Sequence, residues 1–183
     1  MQKRDRDTFS LSLGLELKLE KSKIEDAKEI SDLLNLAYRG SEGWTTESDL
    51  VSGHRSAISD VEAIIEQAHS YYYAHRTGKI ITACICLELM GDEAYIGSFA
   101  VEPKYQSQGL GNKILEATEQ LALEHGAQNF TMVVLSKRVE LISFYERRGY
   151  RKTGVVKDYP LHLNVGIPKH SSLTIEYLQK KHN

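Results

Sequence analysis

A change of hydrophobic period, made twice between Ser70 and Leu135, limits the possible folds more than any other feature of the chain. Tyr71 to His75, Ile80 to Met90 and Ala94 to Val101 are apolar runs separated by turn signals at Thr77-Gly78 and Gly91-Asp92. Such spacing predicts three consecutive antiparallel strands. Gly109 to Glu124 then places its apolar residues at helical spacing and ends near Gly126, and Phe130 to Leu135 reads as a buried strand. A meander followed by a helix and a further strand belongs to a mixed α+β architecture.

The flanking sequence extends this pattern. Ile24 to Tyr38 sets Ile30, Leu33, Leu34 and Ala37 on one helical face, and Ile58 to Ala68 reads as a second helix. Leu141 to Arg148, after the Gly109 to Glu124 helix, is a fourth, stopped by Gly149, with strands expected near Tyr150 and over Leu173 to Leu178. Leu13, Leu15, Leu17 and Leu19 alternate as in a half-buried strand, after a charged stretch, 1–8, expected to be a loose tail. Between the first two helices, RGSEGWTTESDLVSGHR is polar and glycine-containing, a loop with room for a short helix. With 183 residues and no repeat or linker, the expectation is one domain over 1–183.

Charge and cysteine content narrow the partners. A formal net charge of -2 with 26% charged residues offers no basic excess for nucleic acid or an anionic membrane surface. No apolar run reaches the length of a membrane span. Cys84 and Cys86, the only two cysteines, lie two apart on one face of a strand, where a disulfide is disfavoured. The expected setting is reducing and cytoplasmic. The seven histidines show neither paired helical spacing nor a cysteine cluster nearby, so no metal site is expected.

Between the third meander strand and the following helix lies VEPKYQSQGLGNKILEA, Val101 to Ala117. Its glycines admit backbone conformations closed to other residues and let a ligand approach the main chain. The first amides of a helix lack intrahelical partners and favour an anion, so a phosphate or pyrophosphate would sit well here. An ordinary strand-to-helix turn has the same composition. Two nucleotide motifs fail. Gly111 is followed by Asn112-Lys113-Ile114, not by the Lys-Ser/Thr pair of a P-loop, and the spacing is not that of a dinucleotide fingerprint.

Gln106-Ser107-Gln108-Gly109-Leu110-Gly111 resembles the Q/R-x-x-G-x-G/A turn of the GNAT superfamily of N-acetyltransferases, and LISFYERRGY, Leu141 to Tyr150, is similar to the family's second recognisable segment. The resemblance implies a GNAT-like, mostly antiparallel sheet flanked by helices, with acetyl-CoA as cosubstrate. It implies that the backbone of Phe99, Ala100 and Val101 pairs with the pantetheine arm where two strands splay apart. Gln106, Ser107, Gln108, Gly109, Leu110, Gly111 and Asn112 would cradle the pyrophosphate. The side chains of Gln106 and Asn112 would serve equally well as turn caps.

Acyl transfer from a thioester to an amine needs a neutral nucleophile, a stabilised oxyanion and a proton for the departing sulfur. The resemblance gives the last task to Tyr145; a core tyrosine beside Phe144 is the plain alternative. No base is assigned among Glu93, Tyr95 and Glu102. Trp44, Glu47 and Arg55 lie where the family inserts its acceptor loop: Trp44 would close over the acceptor, Glu42 or Glu47 attract an ammonium and Arg55 pair with an anionic end. Core packing and helix capping explain the same residues. Where the family often carries an asparagine about two turns before the tyrosine, this chain has Arg138, a cation facing either ligand or solvent. The implied partner is a small-molecule or peptide amine, with a homodimer among the allowed assemblies. Protein N-terminal or lysine acetylation, and a CoA-binding regulatory domain without turnover, are the alternatives.

Overall fold

The computed structural model describes residues 8–11 and 17–182, the first of these segments by its backbone. β1 (Thr8–Leu11) pairs antiparallel with β2 (Leu17–Lys21), in which Leu17 and Leu19 are buried as their alternation requires. Leu13, Leu15 and Met1 to Asp7 of the expected strand and tail lie outside the described residues. Thr8 belongs to β1 and not to the tail.

α1 (Ala27–Arg39) buries Ala27, Ile30, Leu33, Leu34 and Ala37, the face anticipated from spacing. It starts one short turn later than Ile24. The carboxylate of Asp26 accepts from the Lys23 amide at 3.0 Å and closes a separate single turn first. In the loop that follows no helix forms; instead β3 (Val51–Ser52) pairs with a distant partner. α2 (Ile58–Glu66) ends two residues before the expected Ala68.

β4 (Ser70–Thr77), β5 (Ile80–Met90) and β6 (Glu93–Val101) form the expected antiparallel meander. α3 (Leu110–Glu124), β7 (Asn129–Leu135), α4 (Val139–Glu146), β8 (Arg151–Asp158), β9 (Ile167–Pro168) and β10 (Thr174–Lys181) complete the order. β9 is the partner of β3.

The main sheet runs β1-β2-β4-β5-β6-β7-β10-β8, antiparallel except for β6 against β7. The expected mixed α+β class with a mostly antiparallel sheet flanked by helices is the one observed. Both faces of its centre are covered, which is why β5 reads as an almost continuous apolar run. Ala83, Ile85 and Leu87 pack with Ile114, Leu115 and Leu121 of α3 on one side. Cys84 and Cys86 pack with Ile30 and Leu34 of α1 on the other, both as free thiols. Period-two geometry thus divides one apolar strand between two cores.

Candidate active site

β6 and β7 are in register for only three residues, Glu93 to Tyr95 against Asn129 to Thr131. Beyond Tyr95, β6 pairs only with β5, and β7 only with β10. The cause lies in β6 itself. Cys84 opposes Ala100 while Cys86 opposes Gly97, so Ser98 and Phe99 together face Ile85. This bulge, with Ser98 in a left-handed conformation at φ 42°, bends the end of β6 away from its parallel neighbour. A cavity of about 320 Å³ lies against the bent end, lined by Phe99, Ala100 and Val101 from β6 and by Tyr145 from α4.

The chain then turns through Pro103–Tyr105 into α3. Ser107 and Gly109 both have positive φ, 59° and 81°. Alternation of left- and right-handed residues turns successive amides toward one side, the geometry of an anion nest. Among the described residues, none of the amides of 107–112 meets an acceptor; the first to do so is Lys113, which donates to the Gly109 carbonyl at 3.2 Å. The turn's side chains are already engaged. Gln106 Nε2 donates to the Val101 carbonyl at 2.8 Å, and its Oε1 accepts from the Trp44 amide at 2.9 Å. Gln108 Nε2 donates to the Lys104 carbonyl, and Asn112 Nδ2 to Glu116. Neither side chain caps α3: Gln106 ties the end of β6 to the loop at Trp44, and Asn112 bonds Glu116 and Arg148, which leaves the backbone amides of the turn unengaged among the described residues. Gln108 and Leu110 do not line the cavity, unlike Gln106, Ser107, Gly109, Gly111 and Asn112.

Tyr145 is 7% exposed, with its ring edge-on to Phe144 and Tyr150 at 5.2 and 5.8 Å. Its hydroxyl has no hydrogen-bond partner among the described residues. Burial pushes its pKa well above the ordinary phenol value, partly offset by Arg138 and Arg148. At the cradle end, Arg148 donates to Asn112 Oδ1 and to the Phe144 carbonyl, both at 2.6 Å. Its guanidinium lies over the Phe144 ring at 3.4 Å.

On the proposed acceptor side, Trp44 lines the cavity, 44% exposed, with its ring 5.8 Å from Phe144. Glu47 is 8% exposed and lies outside the lining. Its carboxylate accepts from Arg39 at 2.5 Å and from Arg138 at 3.0 Å. The expected attraction of an acceptor ammonium gives way to this internal pairing, because two guanidiniums have already taken the charge. Arg138, far from being surface charge, is 5% exposed, lines the cavity and also donates to Thr45 at 2.7 Å. Arg55 also lies outside the lining, half-buried beside the lining residue Tyr38, its Cζ 4.9 Å from the ring centre. Of the groups considered as a base, Glu93 stands at the paired end of β6, bonded to Thr131, and Glu102 pairs with Lys104. No carboxylate or imidazole lines the cavity among the described residues.

Sequence reasoning passed over Tyr38, Arg147 and Arg148, which all line the cavity. The two arginines were visible as a pair immediately before Gly149. Tyr38 follows Leu34 by one turn on the buried face of α1.

Residues 27–150 match the sequence profile of the acetyltransferase (GNAT) family. The chain belongs to this family. It is 28% identical over 133 residues to the uncharacterized N-acetyltransferase YitH of Bacillus subtilis (strain 168), covering 73% of this chain and 41% of that protein. To the ribosomal protein bS18-alanine N-acetyltransferase of Escherichia coli (strain K12) it is 29% identical over 84 residues, 46% of this chain and 56% of that one. The chain thus spans about two fifths to just over half the length of these relatives. Its backbone is similar to that of the PaiA N-acetyltransferase of Thermoplasma acidophilum in complex with coenzyme A. The TM-score is 0.69, with 16% identity and coverage of 92% of this chain and 100% of that one. At such identity the likeness is one of fold. In this GNAT chain the family match takes in the splayed strand, the glycine turn and the Tyr145 segment alike.

Proposed function

We propose that this chain transfers an acetyl group from acetyl-CoA directly to a primary amine of a small molecule or peptide. The observation that carries this reading is the row of unpartnered amides at 107–112, which begins at the end of the bent strand and continues into the first turn of α3. Amides without an internal acceptor among the described residues, at the positive end of a helix and in a turn with left-handed Ser107 and Gly109, suit a pyrophosphate. Acetyl-CoA supplies an acetyl group already activated as a thioester. The chain's own part is to bind the diphosphate on those amides and to seat the pantetheine along the free edge of β6. Phe144 and Trp44 exclude water from the transfer site, and Tyr145 holds a proton for the departing sulfur. Among the described residues no carboxylate or imidazole lines the cavity, so in this reading the amine's proton goes to solvent and not to a side-chain base.

The test is thiol release from acetyl-CoA across a panel of amino acids, polyamines and peptides, with the acetylated product identified by mass. Amine-dependent release with a matching amide product is expected. Tight CoA binding without release for any amine would replace this reading with a regulatory binder. Release only with folded proteins or their N-terminal peptides would move it to protein acetylation.

A further inference from the structure

Four arginines other than Arg148 are half-buried or more deeply placed around the first two helices and the meander, and three of them are paired. Arg39 and Arg138 share Glu47, with Glu140 a further 3.6 Å from Arg138. Arg76 meets Glu20, Asp26 and Glu29. Arg55 is the exception: no carboxylate lies within 4.0 Å of its guanidinium among the described residues. Among the described residues its side chain makes one hydrogen bond, a long one from Nη2 to Ser98 Oγ at 3.5 Å. The backbone of Arg55 is nevertheless held firmly. Asn35 of α1 accepts from the Arg55 amide at 2.7 Å and donates to the Ser56 carbonyl at 2.8 Å. That grip directs the guanidinium across the Tyr38 ring to the bulge of β6, one residue before Phe99.

Taking a guanidinium partly out of water without a counter-ion is unfavourable, and stacking on one tyrosine returns only part of the loss. A position that bears this loss in the free protein is explained if a ligand supplies the missing anion. Arg138 faces Tyr38 as well, at 5.9 Å, but its charge is already answered by Glu47. Of these four arginines, Arg55 is the one without a carboxylate partner among the described residues. A planar carboxylate matches a guanidinium through two parallel hydrogen bonds. Resting on the acetyltransferase reading above, we infer that Arg55, with Ser98 and the face of Tyr38, forms a carboxylate subsite, so that the acceptor is an amine carrying a carboxylate. A polyamine of similar length would place a cation there and be disfavoured.

The experiment uses a series of ω-amino acids of increasing spacer length, each paired with its carboxamide, on the parent, Arg55→Gln and Arg55→Lys proteins. In the parent, one spacer length is expected to give the acid at least a tenfold advantage in kcat/KM over its amide. Arg55→Gln should raise the acid's KM at least tenfold and leave the amide's KM and CoA affinity unchanged, and Arg55→Lys should restore part of the difference. Equal use of acid and amide by the parent, or equal damage to both in Arg55→Gln, would overturn the subsite. If no amine is acetylated, the acetyltransferase reading fails by itself. Calorimetry of the same pairs against the CoA-loaded protein then decides the subsite separately. Tighter binding of the acid, lost in Arg55→Gln, sustains it, and absence of any preference removes it.

Discussion

A phenol serves as an acid only while it keeps its proton, and the surroundings of Tyr145 favour the neutral form. Burial raises its pKa, so the protonated state persists through and beyond the neutral range. Its hydroxyl has no partner to lose among the described residues. Tyr145→Phe removes that O–H alone and keeps the ring packed against Phe144 and Tyr150, so thermal stability should stay at the parent level or rise slightly. If Tyr145 protonates the sulfur, kcat should fall about 10²-fold or more while CoA affinity is kept. Because the folded pKa is raised, the parent's kcat should show no decline assignable to Tyr145 as pH rises to about 10. Full turnover by a stable variant would remove Tyr145 from the chemistry. Tyr145 was legible because it stands in a recognisable segment. The pairing of Glu47 with Arg39 and Arg138 was not, since it joins positions 91 residues apart in one case and only the packed fold brings them together.

Within the turn leading to α3, two glycines of one motif answer to different demands. Gly109 has φ 81°, a conformation that a side chain strains, though nothing lies within 4 Å of where its Cβ would be. Gly111 has no such φ, and a Cβ there would meet Phe99 and Val101 at 3.6 and 3.9 Å, ordinary contact distances. The protein's own packing does not require glycine at 111; the proposed close approach of a diphosphate would. An aspartate in the first turn of a helix is favourable by about 0.3–1 kcal/mol. Gly111→Asp should therefore preserve or slightly raise stability while weakening CoA binding at least tenfold by crowding and by repelling the diphosphate. Calorimetry and a melting curve on the same sample separate the two effects. Unchanged CoA affinity in a folded variant would remove the cradle from 107–112. Elements with many periodic residues, such as α3 and the meander, were readable from sequence. The pair β3 and β9, two residues each, carries no period, and its partners are more than a hundred positions apart.

At the scale of the molecule, a sheet covered on both faces places titratable side chains in two dry cores at once. The sequence showed an apolar β5, but only the helices on either side reveal that Cys84 and Cys86 face α1 while Ile85 and Leu87 face α3. Burial pushes the Cys84 thiol up to about 12, and raises Cys86 and the phenols of Tyr72, Tyr95, Tyr145 and Tyr150 as well. In the unfolded chain these groups return to ordinary values, about 8.5 for a thiol and 10 for a phenol. Between those values and the raised ones the folded chain binds more protons than the unfolded chain. Stability is therefore fully present below pH 8 and is lost as pH rises. Each such group contributes a slope of about 1.4 kcal/mol per pH unit once its unfolded form has ionised, so the two thiols together should remove about 2–3 kcal/mol between pH 9 and 10. Urea midpoints measured from pH 7 to 10.5 should stay level, bend downward near 8.5 and steepen near 10 as the tyrosines join. Replacing both cysteines by alanine should lower the whole curve, because methyl groups leave the core underfilled, and move the first bend up to the phenol range. A midpoint that stays flat through pH 10 in the parent would mean that the thiols are not held in the dry core between β5 and α1.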